Sequence, residues 1–186
     1  MVYLPGINQK RVMALIRTLP GKIPKFGKDC FLAENATIIG EVDMGDHCSI
    51  WYGAVIRGDV HYIKIGNNTN VQDNAVIHST YLKSPTNIGS NVTIAHGAIV
   101  HGCTVRDNVM IGMNAVILDD AVIESNTIIA AGSVVTKGTH VEPGSIYAGI
   151  PARKIRDISP ELLEGEVKRI ATSYKTYADW YRDEMG

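Results

Sequence analysis

The sequence predicts an all-β solenoid: a left-handed parallel β-helix of about six triangular coils carrying a C-terminal α-helix. Three observations predict it. Aliphatic residues recur every six positions, a small or β-branched residue follows each by four places, and an amphipathic segment with a helix-start signal comes only after the repeat ends. A period of six suits neither an amphipathic helix nor a two-faced strand. It suits a triangular coil in which each hexad forms one flat side, the leading aliphatic pointing inward and the small residue filling the corner. A sandwich of short strands would instead need variable turn spacing and strict alternation.

Residues 1–31 read as an irregular lead-in, with Pro20 and Pro24 interrupting any helix. The β-helix is expected over 32–150. Its leading residues are Leu32, Ile38, Met44, Ile50 and Ile56, then Ile65, Val71 and Ile77, then Ile88, Ile94 and Val100. From Val105 the run is unbroken through Ile111, Ile117, Ile123, Ile129, Val135 and Val141. Insertions fall near Tyr62 and around "YLKSP", and one residue is missing at Thr104. Three hexads make one coil, and successive coils lie about 4.8 Å apart. Over 159–184, Ser159 as N-cap, Pro160 in the first turn and Glu161 behind it start a helix that packs on the prism.

Composition narrows the function. The chain has 186 residues, 45% hydrophobic, enough to bury one full core. A net charge of −1 with scattered basic residues predicts no nucleic-acid partner. No apolar run reaches the ~18–20 residues that span a bilayer, so no membrane partner is expected. Arg11 and Arg17 break the apolar N-terminal part, which makes a poor signal peptide. Cys30, Cys48 and Cys103 form neither a disulfide framework nor a CxxC pair, which predicts buried thiols in a reducing cytoplasm.

The repeat lets residues be compared by column. In "TIAHGAIVHGC", His96 and His101 are five apart, a spacing that suits one face of neither helix nor strand. The frame resolves this. His78 and His101 each follow a leading aliphatic, three hexads apart, so they stack one coil apart and point outward, with Arg57 one coil below. His96 lies on the adjacent side of the prism, with Asp73 beneath it and Gln72 beside Asp73. Three prisms packed about a threefold axis would bring two imidazoles of one chain to the third of its neighbour. Three histidines with an open fourth position suit a catalytic zinc, iron or cobalt ion, which supplies hydroxide near neutral pH. His47, His61 and His140 have no such alignment and read as surface residues.

At this point the chain resembles the γ-class carbonic anhydrase-like branch of the hexapeptide-repeat proteins. The matching pieces are "VIRGDV", "IGNNTNVQDNAVIH", "TIAHGAIVHGC", "VMIGMNAVILDDAVI" and "IIAAGSVV…PGSIYAGIPARKIR", over roughly 22–156. The resemblance implies a homotrimer with an interface metal on His78, His101 and the neighbour's His96. It implies an intersubunit charged network of Arg57, Asp59 and Asp73, with Gln72 contacting metal-bound water or bicarbonate, and Tyr174 facing the pocket. The reaction implied is reversible hydration of CO2. Two departures stand out. Val60 occupies a position where some active members carry glutamate, and the loop "STYLKSPTN" lacks the acid that shuttles protons there, so slow turnover is expected. Two other activities fit the fold: an acyltransferase, or a metal-dependent hydrolase of a small thioester or ester, so that the substrate is CO2/bicarbonate or a small acyl compound. A scaffold subunit would not need the three histidines.

Overall fold

The computed structural model describes residues 14–183. They form a left-handed parallel β-helix of about seven turns, followed by a helix. Coil by coil, the strands are β1 (Leu15–Arg17), β2 (Lys25–Phe26) and β3 (Phe31–Leu32); β4 (Thr37–Met44) and β5 (Ser49–Ile50); β6 (Val55–Ile65) and β7 (Asn70–Val71). Then come β8 (Val76–His78), β9 (Thr86–Ile88) and β10 (Thr93–Ile94); β11 (Ile99–His101), β12 (Thr104–Val105) and β13 (Val109–Ile111). The last two coils are β14 (Val116–Ile117), β15 (Val122–Ile123) and β16 (Thr127–Ile129), and β17 (Val134–Val135), β18 (His140–Val141) and β19 (Ser145–Gly149). β4 and β6 each run around a corner and serve two faces.

The extra turn lies at the start. Residues 15–32, expected as an irregular lead-in up to residue 31, pair in parallel through β1 and β2 with β4 and through β3 with β5. Their prolines fall between these short strands and take no ladder bond, so they do not prevent the coil. Residues 1–13 and 184–186 lie outside the described set.

The core is the column of leading aliphatics. Ile38, Ile50, Ile56, Ile77, Ile94, Ile111, Ile117, Ile123 and Ile129 are fully buried, with Ala36, Ala54, Ala75, Ala98, Ala115 and Ala121 beneath the corners. A further rule, unread in the sequence, governs the residue just before most of the small corner residues. That residue has positive φ and is Asn, Asp, His or Gly, as at Asn68, Asn74, Asn91, Asn108, Asn114, Asp120 and Asn126. These types reach the left-handed region at least cost and so turn the corner. On one corner they also bond vertically: Asn68 Nδ2 donates to Asn91 Oδ1, Asn91 to Asn108 and Asn108 to Asn126, at 2.8, 3.2 and 3.2 Å.

At the C-terminal end β20 (Ala152–Asp157) folds back antiparallel on β19 and covers its edge. Ser159 then caps the helix, its Oγ accepting from the Leu162 amide at 3.3 Å. The helix begins as α1 (Pro160–Leu162), widens to a π-turn at Leu163–Lys168, and continues as α2 (Arg169–Asp183). Gly165, a weak helix former, sits in the widened turn. Val167, Ala171 and Ala178 are buried, and small residues on this stripe let the helix lie close against the β5 face of the prism.

Replacing Ile111 with alanine removes a fully buried side chain from the middle of the column. The expected loss is about 2–5 kcal/mol in urea unfolding with the m-value retained. A loss under about 1 kcal/mol would contradict a close-packed solenoid core.

Candidate metal centre

The coil register brings the first two histidines together. Parallel pairing sets His101 directly opposite His78, and Val55–Ile56 opposite Val76–Ile77, which carries Arg57 to the level below. His78 Nδ1 and His101 Nε2 are 3.2 Å apart. Asp59 is delivered by the corner that β6 turns after Gly58. There the backbone passes so close to Gly40 and Glu41 of the coil below that a Cβ on Gly58 would collide with a carbonyl. Asp59 Oδ1 lies 3.0 Å from His78 Nε2, and its Oδ2 accepts from Arg57 at 2.5 Å.

His101 is held by Asp119, a residue the column comparison did not single out: its Oδ1 is 2.6 Å from His101 Nδ1. The acid-free loop orients that carboxylate. Thr80 Oγ1 donates to Asp119 Oδ2 at 2.6 Å, and Ser84 Oγ donates to Asp120 Oδ1 at the same distance. Asp119 lies in the coil above His101 but one place beyond its column, since Val100 pairs with Ile117 and so sets Leu118 above His101. In the second column, Asp73 Oδ2 lies 2.8 Å from His96 Nδ1. Tyr174 of α2 brings its hydroxyl 3.5 Å from His96 Nε2. Gln72 is buried beside them, its amide donating to Asn70 Oδ1 at 3.0 Å.

Burial would raise the Asp59 carboxyl, but hydrogen bonds from Arg57 and His78 hold it below its ordinary value. Asp119 is likewise lowered against burial, by Thr80 and His101. Burial lowers His78, against the opposing pull of Asp59, so the ring is neutral at physiological pH. Burial and the Asp73 charge push the Tyr174 phenol up to about 12. Burial also raises the Cys103 thiol to about 12, so this neighbour of His101 stays protonated and is no thiolate ligand.

Each of the three histidines thus turns one ring nitrogen to a carboxylate, the pairing that orients and strengthens metal-bound imidazoles, while the remaining nitrogens of His78 and His101 face each other and that of His96 faces the Tyr174 hydroxyl. The 3.2 Å gap between His78 and His101 nitrogens is close to the separation of about 3.3 Å for two nitrogens on one tetrahedral ion. The donor set fits zinc or a similar divalent ion. His96 stands in the other column, and among the described residues no group of three or more His, Cys, Asp or Glu within one chain is placed to hold a metal.

The chain is similar to known proteins. Residues 102–137 match the model of the bacterial transferase hexapeptide (six repeats). Gamma carbonic anhydrase 2, mitochondrial, of Arabidopsis thaliana is 43% identical over 84% of this chain, which spans only 56% of that relative's length. The carbonic anhydrase of Geobacillus kaustophilus is 37% identical, covering 90% of this chain and 91% of its own. Among solved structures, a putative acetyltransferase of Bacillus cereus superposes with a TM-score of 0.88 at 36% identity, over 92% of this chain and 98% of its own. By fold, repeat and similarity along nearly its whole length, the chain belongs to the γ-class carbonic anhydrase-like family of hexapeptide-repeat proteins.

Proposed function

We propose that three copies pack about a threefold axis, that His78 and His101 of one chain hold a metal with His96 of the next, and that the site reversibly hydrates CO2. The observation that carries this reading is a carboxylate at full hydrogen-bond distance on each histidine, 3.0, 2.8 and 2.6 Å, where the surface residues His47 and His140 keep theirs at 3.7 and 3.4 Å. The trimer is supported by the face that bears His78 and His101. Its outward row of Val55, Val76, Ile99, Val116 and Val134 is apolar and only partly buried, with Ile99 39% and Leu118 36% exposed. The chain's own helix packs on a different face, that of β5, so a second copy is the natural cover.

A divalent ion at this position acidifies a bound water and so supplies a hydroxide nucleophile near neutral pH. The residues of the chain do the rest. Asp59, Asp119 and Asp73 fix the three rings, and Arg57 neutralises Asp59. Gln72 and Tyr174 orient the substrate beside His96, the phenol acting as a neutral hydrogen-bond donor. Val60 and the loop 79–87 offer no carboxylate to take the proton away, so its departure to buffer limits turnover. The buried thiols Cys48 and Cys103 suit a reducing cytoplasm.

One observation favours a second reaction at the same centre, hydrolysis of a small ester or thioester. A cleft of about 470 Å³ runs from Gln72 and His96 between the prism and the helix, walled by Met110, Met113, Ile128 and Ile170. CO2 needs far less room.

Protein grown with supplemented metal is expected to carry close to one transition metal per chain, by elemental analysis. His96→Ala should lower the affinity at least tenfold without unfolding the chain; wild type without bound metal would overturn the site. In stopped-flow CO2 hydration, raising the imidazole concentration should raise kcat and leave kcat/KM unchanged. A kcat insensitive to buffer would show that proton export is not limiting.

A further inference from the structure

One turn below His96, the corner column and the last turns of α2 enclose a second cavity, of about 250 Å³. Its walls are six aromatic rings: Trp51 and Tyr52 from the corner after β5, and Tyr174, Tyr177, Trp180 and Tyr181 from the helix. The remaining lining residue is Asp73, a carboxylate. No lysine, arginine or histidine lines it among the described residues, and no aliphatic side chain does either.

The rings are fixed against one another. Tyr174 and Tyr181 meet the Trp51 ring edge-on at centroid distances of 5.2 and 5.5 Å. Tyr177 packs on Tyr174 at 5.3 Å and on Trp180 at 5.0 Å. Trp180 is 61% exposed and so keeps much of its surface open beside the cavity. Packing of the helix accounts for Trp51, Tyr174 and Tyr181, and leaves Trp180 and the cavity unexplained.

The electrostatics point one way. Aromatic faces carry the negative end of the ring quadrupole and attract cations, most strongly when the site is partly desolvated. Asp73 adds a formal negative charge, and Glu34 bonds to the Tyr52 hydroxyl behind the wall. Burial pushes the phenols of Tyr52 and Tyr174 up to about 12, so neither ionises at physiological pH and each keeps its hydrogen. A cavity lined by six aromatic rings and one carboxylate, with no competing cation among its lining residues, is the composition that selects a bulky, weakly hydrated cation over a metal ion or an anion.

We propose that this cavity is a binding site for a quaternary or highly alkylated ammonium group, held by Trp51, Trp180 and Tyr177 and balanced by Asp73. The site is separate from the metal centre, although Asp73 belongs to both: its Oδ2 faces His96. Occupancy by a cation would therefore be felt at the His96 ring.

The test uses a convenience of the sequence: the chain has two tryptophans, Trp51 and Trp180, and both line the cavity. Tryptophan emission of the whole protein is titrated with choline, and in parallel with 3,3-dimethyl-1-butanol, the uncharged molecule of nearly the same shape. The expected result is a saturable emission change with choline and at least tenfold weaker binding of the alcohol. Trp180→Leu, on an exposed helix position and checked by circular dichroism, should weaken choline about tenfold, read from Trp51. Linear quenching by choline matching that of free N-acetyltryptophanamide would overturn the proposal. Equal binding of the alcohol would overturn it too, leaving an apolar hollow.

Discussion

Everything in this molecule depends on the stacking of one coil on the next in strict register. The register is enforced from inside by the leading aliphatics and from the corners by residues that accept positive φ, some of which bond to one another vertically. Shifting one coil by a single residue would turn an inward isoleucine outward and expose the column, so slippage costs several buried side chains at once. That cost makes a surface column a dependable place to build a site. His78 and His101 meet because Ile77 and Val100 cannot do otherwise.

The insertions and the missing residue are where the repeat is spent on chemistry. The long corner in β6 turns Asp59 toward His78, at a point where only glycine fits at position 58. The loop after His78 contributes two hydroxyls that aim Asp119 and Asp120. Asp119 reaches His101 from the coil above, and Cys103 is buried at the shortened corner between them. Regular hexads thus supply rigidity together with Asp73 and Asp119, and the irregular segments supply Asp59 and the hydroxyls that aim Asp119.

The solenoid and the columns were legible in the sequence because a period of six leaves a mark at every coil. Reading Leu32 as the first repeat missed the initial turn, because its strands are two or three residues long and carry prolines between them. Hydrophobic spacing alone does not record such strands. The corner rule at Asn68, Asn91, Asn108 and Asn126 was present in plain view but is a conformational signal, not a hydrophobic one. Asp119 was missed because the column above His101 holds Leu118, and Asp119 reaches the ring from one place beyond it. The relation of His96 to the other two histidines was readable only as a geometric consequence: a straight prism keeps adjacent sides apart, which is why the proposed site draws its two columns from neighbouring chains.

The central claim, that one site is shared between neighbouring chains, is tested most directly by mixing two defective proteins. His96→Ala and His101→Ala chains are purified, shown to lack bound metal, unfolded together and reassembled. If the site takes His101 from one chain and His96 from the next, every mixed trimer regains one intact site, and elemental analysis recovers metal in the mixture. If all ligands came from a single chain, every site in the mixture would remain defective. Metal content no higher than in the separate variants, with mixed trimers confirmed by mass, would contradict the account.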